Sequence, residues 1–182
     1  SATVAKGREQ IQAVLRGDAP DRGRTRGNAM TTPHTSSTSE RRGRGQDQLQ
    51  RLLTERTEML TTVCRLAGVE PYHRSNESAP KLLQAFCQIL VDYIAAGHFA
   101  LYERIVEGKE RRREAIQIAS EIYPRIAKTT DVALDFNDKY DCGDHCEALD
   151  SLAADLSKLG EELAARIELE DRLIAMMSRG RD

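Results

Sequence analysis

The chain has 182 residues, which is enough for one compact domain and a remainder, since a domain commonly takes about 150 residues. Hydrophobic residues make up 40 % of the sequence, charged residues 31 % and aromatic residues only 4 %, with no tryptophan. Cores rich in β-structure favour aromatic and β-branched residues, so this composition excludes a sandwich or barrel and predicts an all-α protein.

The net charge of −2 hides two parts of opposite sign. Residues 1–45 hold nine of the 27 basic and four of the 29 acidic side chains, a balance of +5, which leaves −7 for residues 46–182. Half of the 12 glycines and five Arg-Gly pairs also fall in residues 1–45. We predict a disordered basic extension there, because it cannot bury enough apolar surface to offset the entropy of ordering. A nucleic-acid-binding tail is the alternative for this segment.

Helical periodicity begins at Gln46. Apolar residues then recur at steps of three and four up to Leu66, and Gly68 and Pro71 supply the stop: Leu49, Leu52, Leu53, Met59, Leu60, Val63 and Leu66. A second helix is predicted from Pro80, followed by a break at Gly97 and a third segment over residues 98–106.

Two long helices complete the chain. One is predicted over residues 115–139, with Ile116, Ile122, Ile126 and Leu134 inward and a kink at Pro124. The other covers residues 146–177, with a leucine seam and Asp144 as its N-cap: Leu149, Leu152, Leu156, Leu159 and Leu163. Four main helices with modest connections predict an antiparallel helical bundle over residues 46–178.

Chemical sites are few. The only Glu-x-x-His spacing, Glu70 to His73, lies beside Pro71 in a loop, which argues against a di-metal centre in the bundle. A cluster of Cys142, His145 and Cys146 could ligate zinc or respond to oxidation, and this is the alternative function of the bundle.

Other functional classes find less support. His98 is the one helical histidine available for phosphotransfer, but its apolar neighbours indicate a packed environment. No nucleophile-base pair, phosphate loop or paired-carboxylate signature is present, so we expect no enzyme and no cofactor. Four scattered cysteines favour a reducing cytoplasm, and no apolar run reaches the roughly 20 residues that span a membrane.

The second helix is apolar on two faces. At about 100° per residue, one face carries Leu82, Phe86, Leu90, Tyr93 and Gly97, and the other carries Val91, Ala95, Phe99, Tyr102 and Val106. Gln88 and Asp92 border the second face. This face either returns to the core at Gly97 or presents an apolar patch with an acidic edge to a basic partner helix.

Residues 86–105 closely resemble the Rsd/AlgQ family of anti-sigma factors, the regulators of sigma D, as do residues 122–125, 133–138 and 169–174. The likeness extends over residues 40–177. It implies a cytoplasmic helical bundle that binds region 4 of the housekeeping sigma factor and withholds it from the RNA polymerase core and the −35 promoter element. The resemblance further implies that this action favours the use of alternative sigma factors in non-growing cells.

The resemblance also implies a sigma-binding site at Asp92, Ala95 and Phe99. Asp92 would pair with a sigma arginine or lysine, Ala95 would permit close approach, and Phe99 would supply buried apolar area. Two positions depart from relatives, which carry serine at position 95 and tryptophan at position 52, where this chain has Ala95 and Leu52. We expect a monomer that binds sigma region 4. Its acidic body is expected to bind neither DNA directly nor a membrane.

Overall fold

The computed structural model describes residues 38–68, 78–103, 113–141 and 149–178, with side chains from residue 43 onward. These residues form four α-helices: α1 (Thr38–Leu66), α2 (Ala79–Gly97), α3 (Arg113–Tyr140) and α4 (Leu152–Ser178). A π-helical turn, His98–Tyr102, continues α2, and a 3₁₀ turn, Leu149–Ser151, precedes α4. No strand occurs within the described ranges, which confirms the predicted all-α class.

Helix α1 begins earlier than the sequence predicts. It starts at Thr38 rather than at Gln46, so the last residues of the predicted disordered extension are helical. Glu and Arg, which are common in this stretch, are good helix formers, and propagation from an existing helix needs no new nucleus. By its internal contacts the chain divides into two units, Ser1–Asp47 and Gln48–Asp182. Residues 1–37 lie outside the described residues, so disorder there stays a prediction.

The bundle is antiparallel where α3 meets α4. Near the connection between these helices, the Tyr140 hydroxyl donates to an Asp155 carboxylate oxygen at 2.6 Å. Further from the connection, Arg166 Nη1 donates to Thr130 Oγ1 at 2.8 Å. Between these two contacts the residue number falls on α3 and rises on α4, so the two helices run in opposite directions. Helix α3 also packs on α2, with the Phe86 and Phe136 rings edge to face at 5.8 Å.

Of the 16 apolar residues predicted to face inward on the first, third and fourth helices, eight are buried, four are half-buried (Leu49, Val63, Leu66 and Leu152) and four are exceptions that are exposed. The core includes Leu52, Met59, Ile122, Ile126, Leu134, Leu156, Leu159 and Leu163. The exceptions are exposed by 38–45 %: Leu53, Leu60, Ile116 and Leu149. Leu149 lies in the 3₁₀ turn, so it does not continue the α4 seam. Leu53, Leu60 and Ile116 lie at the edges of the apolar stripes of α1 and α3, and these stripes are wider than the helix surfaces that pack in the core.

The boundary predicted at Gly97 is confirmed as a change of helix type, but the chain does not bend or break there. Gly97 has ordinary right-handed helical angles, φ −60° and ψ −42°, and the chain passes directly into the π-helical turn. Helix α3 continues through Pro124, as the single helix predicted over residues 115–139 requires, and the kink there stays a prediction. The whole stretch Ala79–Tyr102 is long and apolar enough to cross a membrane, contrary to expectation, with a mean hydropathy of 1.3. Since 56 % of that window is buried and a bundle's core helix has the same composition, this is weak evidence for a span.

Candidate functional site

Asp92, Ala95 and Phe99 form the candidate face, which runs along α2 into the π-helical turn. Their spacing of three and four residues keeps them on one side of the helix. Asp92 and Ala95 are half-buried, whereas Phe99 is 50 % exposed, the most of any large hydrophobic side chain among the described residues. The arrangement therefore combines a carboxylate, a small residue and an exposed aromatic ring within two turns.

The exposed Phe99 ring contacts the side chain of its neighbour, His98. It lies edge to face with the imidazole of His98, with 5.4 Å between ring centroids and 71° between planes. His98 itself is buried, and burial followed by the nearby positive charge of Arg166 lowers the pKa of its imidazole. When a partner buries an exposed phenylalanine, the complex is stabilised by about 25 cal/mol for each Å² of apolar surface removed from water.

Asp92 has a polar neighbour and no cationic one in the described part of the chain. The Gln88 side-chain amide donates to both Asp92 carboxylate oxygens at 3.3 Å. None of the ion pairs formed by described residues includes Asp92. Its carboxylate is therefore able to accept a bidentate hydrogen-bond pair from an arginine of another molecule.

The two alternatives for the second face of α2 are each realised in part. Phe99 points to solvent, as the partner hypothesis requires, but Tyr102 is only 2 % exposed and belongs to the core. The π-helical turn explains the division, because its wider hydrogen-bond ring adds a residue and delays the rotation of the helix. Val106 lies outside the described residues.

A buried charge network, consisting of Arg56, Arg166 and Glu170, lies beneath this face and was missed by the sequence analysis. Glu170 is fully buried, and its carboxylate accepts from Arg166 Nε at 2.8 Å and from Arg56 Nη2 at 3.0 Å. The Tyr93 hydroxyl donates to the same carboxylate at 2.7 Å. The partners come from α1, α2 and α4, and Arg166 also donates to Thr130 on α3. The network thus connects all four helices.

The sequence contained a signal for this network. The α4 seam of Leu156, Leu159 and Leu163 continues at the same steps of three and four through Arg166, Glu170 and Leu173. All six side chains are buried. Read only as an i, i+4 ion pair, Arg166 and Glu170 would be assigned to the helix surface. The seam register assigns them correctly to the core.

The backbone of α2 passes close to the network at Gly97. A Cβ atom at this position would lie 2.9 Å from Glu170 Oε1, 3.4 Å from Arg166 Nη2 and 3.6 Å from Leu52 Cδ1. The first separation is shorter than real Cβ contacts allow. Leu52, where relatives are expected to have tryptophan, is fully buried and therefore packs in the core at this point.

The residues of the other candidate chemical sites, apart from His98, lie outside the part of the chain that the structure describes. Cys142, His145 and Cys146 fall outside the described residues, as do Glu70 and His73. Among the residues that are described, no three His, Cys, Asp or Glu side chains are grouped to hold a metal ion. The burial of His98 disfavours its use as an exposed phosphate acceptor.

Comparison with known proteins gives a consistent result. The family model described as regulator of RNA polymerase sigma(70) subunit, Rsd/AlgQ, matches residues 32–178. A regulator of sigma D from Salmonella arizonae is 37 % identical over 145 residues, covering 76 % of this chain and 86 % of the relative. Those from Salmonella paratyphi B and Salmonella newport are also 37 % identical, over 148 residues, with the same coverage. No solved structure matches the chain.

Proposed function

The chain belongs to the Rsd/AlgQ family of regulators of the RNA polymerase sigma(70) subunit, and from that premise we propose that it is an anti-sigma factor. It binds region 4 of the housekeeping sigma factor through Asp92, Ala95 and Phe99. Occupation of region 4 keeps sigma from the RNA polymerase core and from the −35 element. This action takes place in the cytoplasm, where RNA polymerase operates, and involves no catalytic step.

The observation that carries this proposal is the half-exposed ring of Phe99 in line with an aspartate that has no cationic neighbour among the described residues. Aromatic side chains that become buried at the centre of an interface contribute much of its binding energy. A small residue beside the ring, Ala95, allows a partner helix to approach closely. Region 4 supplies a suitable surface, because its helix-turn-helix is basic.

Charge supports the same partner. The balance of −7 over residues 46–182 attracts a basic protein domain and repels the phosphate backbone of DNA. Complementary charge also accelerates encounter and fixes the register of the two surfaces. The bundle therefore competes with DNA for region 4 without binding DNA itself.

Calorimetric titration of the full chain with isolated sigma region 4 tests this proposal. Asp92→Arg places a positive charge opposite a basic helix, so its affinity should fall by at least about 100-fold, since like charges at an interface cost several kcal/mol. Asp131→Arg is the matched control, because Asp131 is an exposed aspartate on α3 outside the candidate face, and it should bind within about threefold of wild type.

Circular dichroism of both variants should match wild type, since neither aspartate lies in the core. Wild-type affinity for Asp92→Arg would exclude this surface. Absence of binding by the wild-type chain would exclude region 4 as the partner.

A further inference from the structure

Gly97 lies where the candidate face and the buried charge network meet. It is the last residue of α2, and the π-helical turn that carries Phe99 begins at the next residue. An added Cβ would come within 2.9 Å of Glu170 Oε1, so only glycine lets the helix approach the buried carboxylate this closely. The close approach fixes the point at which the helix rests on the network.

The network is a rigid support for this contact. Glu170 receives hydrogen bonds from three side chains, and Arg166 is held in addition by Thr130 at 2.8 Å. Buried ionic groups have few alternative arrangements, because any displacement leaves a charge without a partner. The polar atoms that an added Cβ would meet, Glu170 Oε1 and Arg166 Nη2, are side-chain ends, but the hydrogen bonds of the network hold these side chains, so we expect a methyl group at position 97 to displace the helix.

The π-helical turn determines where Phe99 points. The His98 N–H donates to both Ile94 O and Ala95 O, and the Glu103 N–H donates to His98 O, which closes the wider ring. Tyr93 and Tyr102 are nine residues apart, so a regular helix of about 100° per residue would put them on opposite sides. Here both are buried, and Phe99 between them is half-exposed.

We propose that Gly97 and the Arg166–Glu170 ion pair are positioning residues, which orient Phe99 for the partner by fixing the start of the π-helical turn. The proposal rests on the proposed function, because it assigns the buried network a role in presenting the sigma-binding ring. None of these three buried residues is required to touch the partner. Their effect on binding passes through Phe99.

Two glycine-to-alanine variants test the role of position 97. Gly97→Ala should weaken binding of sigma region 4 by at least about tenfold, because the added methyl displaces the turn. Gly160→Ala is the matched control: Gly160 lies within α4 and a Cβ there meets nothing within 4 Å, so its affinity should stay within about twofold of wild type.

A double-mutant cycle separates positioning from general destabilisation. In the Phe99→Ala background, Gly97→Ala should cause no further loss of affinity, because there is no ring left to misplace. In the Asp92→Ala background, it should cause its full loss. Equal losses in both backgrounds would overturn the proposal, as would wild-type affinity for Gly97→Ala alone. Wild-type affinity for Phe99→Ala would instead contradict the proposed function.

Fluorine NMR of the free protein gives a readout that does not depend on any partner. The chain has three phenylalanines, Phe86, Phe99 and Phe136, so uniform 4-fluorophenylalanine labelling gives three signals, and Phe99→Leu assigns one of them. In Gly97→Ala the Phe99 signal should move by more than either of the other two signals. An unchanged Phe99 signal would overturn the proposal.

Thr130→Val keeps the test available if Gly97→Ala does not fold. This variant removes the nearer of the two α3 hydroxyls that accept from Arg166 Nη1, at 2.8 Å, and leaves that of Thr129 at 3.3 Å, with little change in volume. It should weaken binding about two- to fivefold and shift the Phe99 signal. A folded Thr130→Val variant with wild-type affinity and spectrum would overturn the role of the network.

Discussion

The Tyr93 hydroxyl donates a 2.7 Å hydrogen bond to Glu170 Oε2, joining α2 to a residue 77 positions later in α4. The same carboxylate lies between Arg166 and Arg56, so a single buried anion is surrounded by two cations and a phenol. The burial of Tyr93, followed by the negative charge of Glu170, raises the pKa of the phenol and keeps it protonated as a donor. Glu170 is therefore the residue on which the packing of the four helices depends.

Glu170→Gln should destabilise the fold strongly. The amide keeps the volume of the side chain but leaves the buried guanidinium of Arg166 without a counter-ion, whereas Arg56 keeps the more exposed Asp171 at 2.6 Å; an uncompensated buried charge costs about 3–5 kcal/mol. Urea unfolding followed by circular dichroism measures this loss. Glu162→Gln is the comparison, because Glu162 pairs with Arg125 at the partly exposed edge of the bundle, and such pairs contribute about 0–1 kcal/mol. Equal unfolding midpoints for both variants would contradict the role of Glu170.

Adjacent leucines on α1 should respond very differently to truncation. Leu52 is fully buried, so Leu52→Ala should lower the free energy of unfolding by about 2–5 kcal/mol through lost burial and the remaining cavity. Leu53 is 38 % exposed, so Leu53→Ala should cost less than about 1 kcal/mol. Thermal and urea unfolding of the two variants measure the difference. If both variants lost a similar free energy of unfolding, α1 would have to be rotated about its axis relative to this structure.

His98 should make the fold sensitive to mild acid. Burial and then the charge of Arg166 hold the pKa of its imidazole below the usual 6.5. Between that lowered pKa and 6.5 the unfolded chain binds a proton that the native state does not, so stability falls as the pH drops through this window. Urea midpoints at pH 7.5, 6.5 and 5.5 should decline in wild type and less steeply in His98→Gln. Parallel declines would assign the dependence to other groups.

Helix content could be predicted from the sequence because apolar spacing directly reports which face is buried. The buried part of the α4 seam, Leu156, Leu159 and Leu163, follows this rule, as do Ile122, Ile126 and Leu134 on α3. The face containing Asp92, Ala95 and Phe99 was also defined by spacing, as the second apolar side of α2. Its role in binding remains a proposal.

The deviations arise where tertiary contacts override local preference. Glycine ordinarily weakens a helix, which predicted a break at Gly97, yet the contact with Glu170 requires glycine within a continuous helix. The π-helical turn has no sequence signature of its own, so the burial of Tyr102 could not be derived from a regular period. The early start of α1 at Thr38 has a local cause instead, because Glu and Arg extend an existing helix despite the glycine-rich composition that indicated disorder.

The salt dependence of binding should distinguish the two kinds of contact on the candidate face. Asp92→Asn removes a charge at nearly constant volume, so affinity for sigma region 4 should fall and depend less on salt, because screening acts on the charge that was lost. Phe99→Ala removes apolar area, so its affinity should fall about 30-fold or more while the dependence on salt stays as in wild type. Titrations at 50 and about 300 mM salt, between which the Debye length shortens from roughly 14 to 6 Å, compare the two slopes. If Asp92→Asn kept the wild-type slope, Asp92 would not meet a cation of the partner, and the acidic part of the candidate face would have to be sought at another residue.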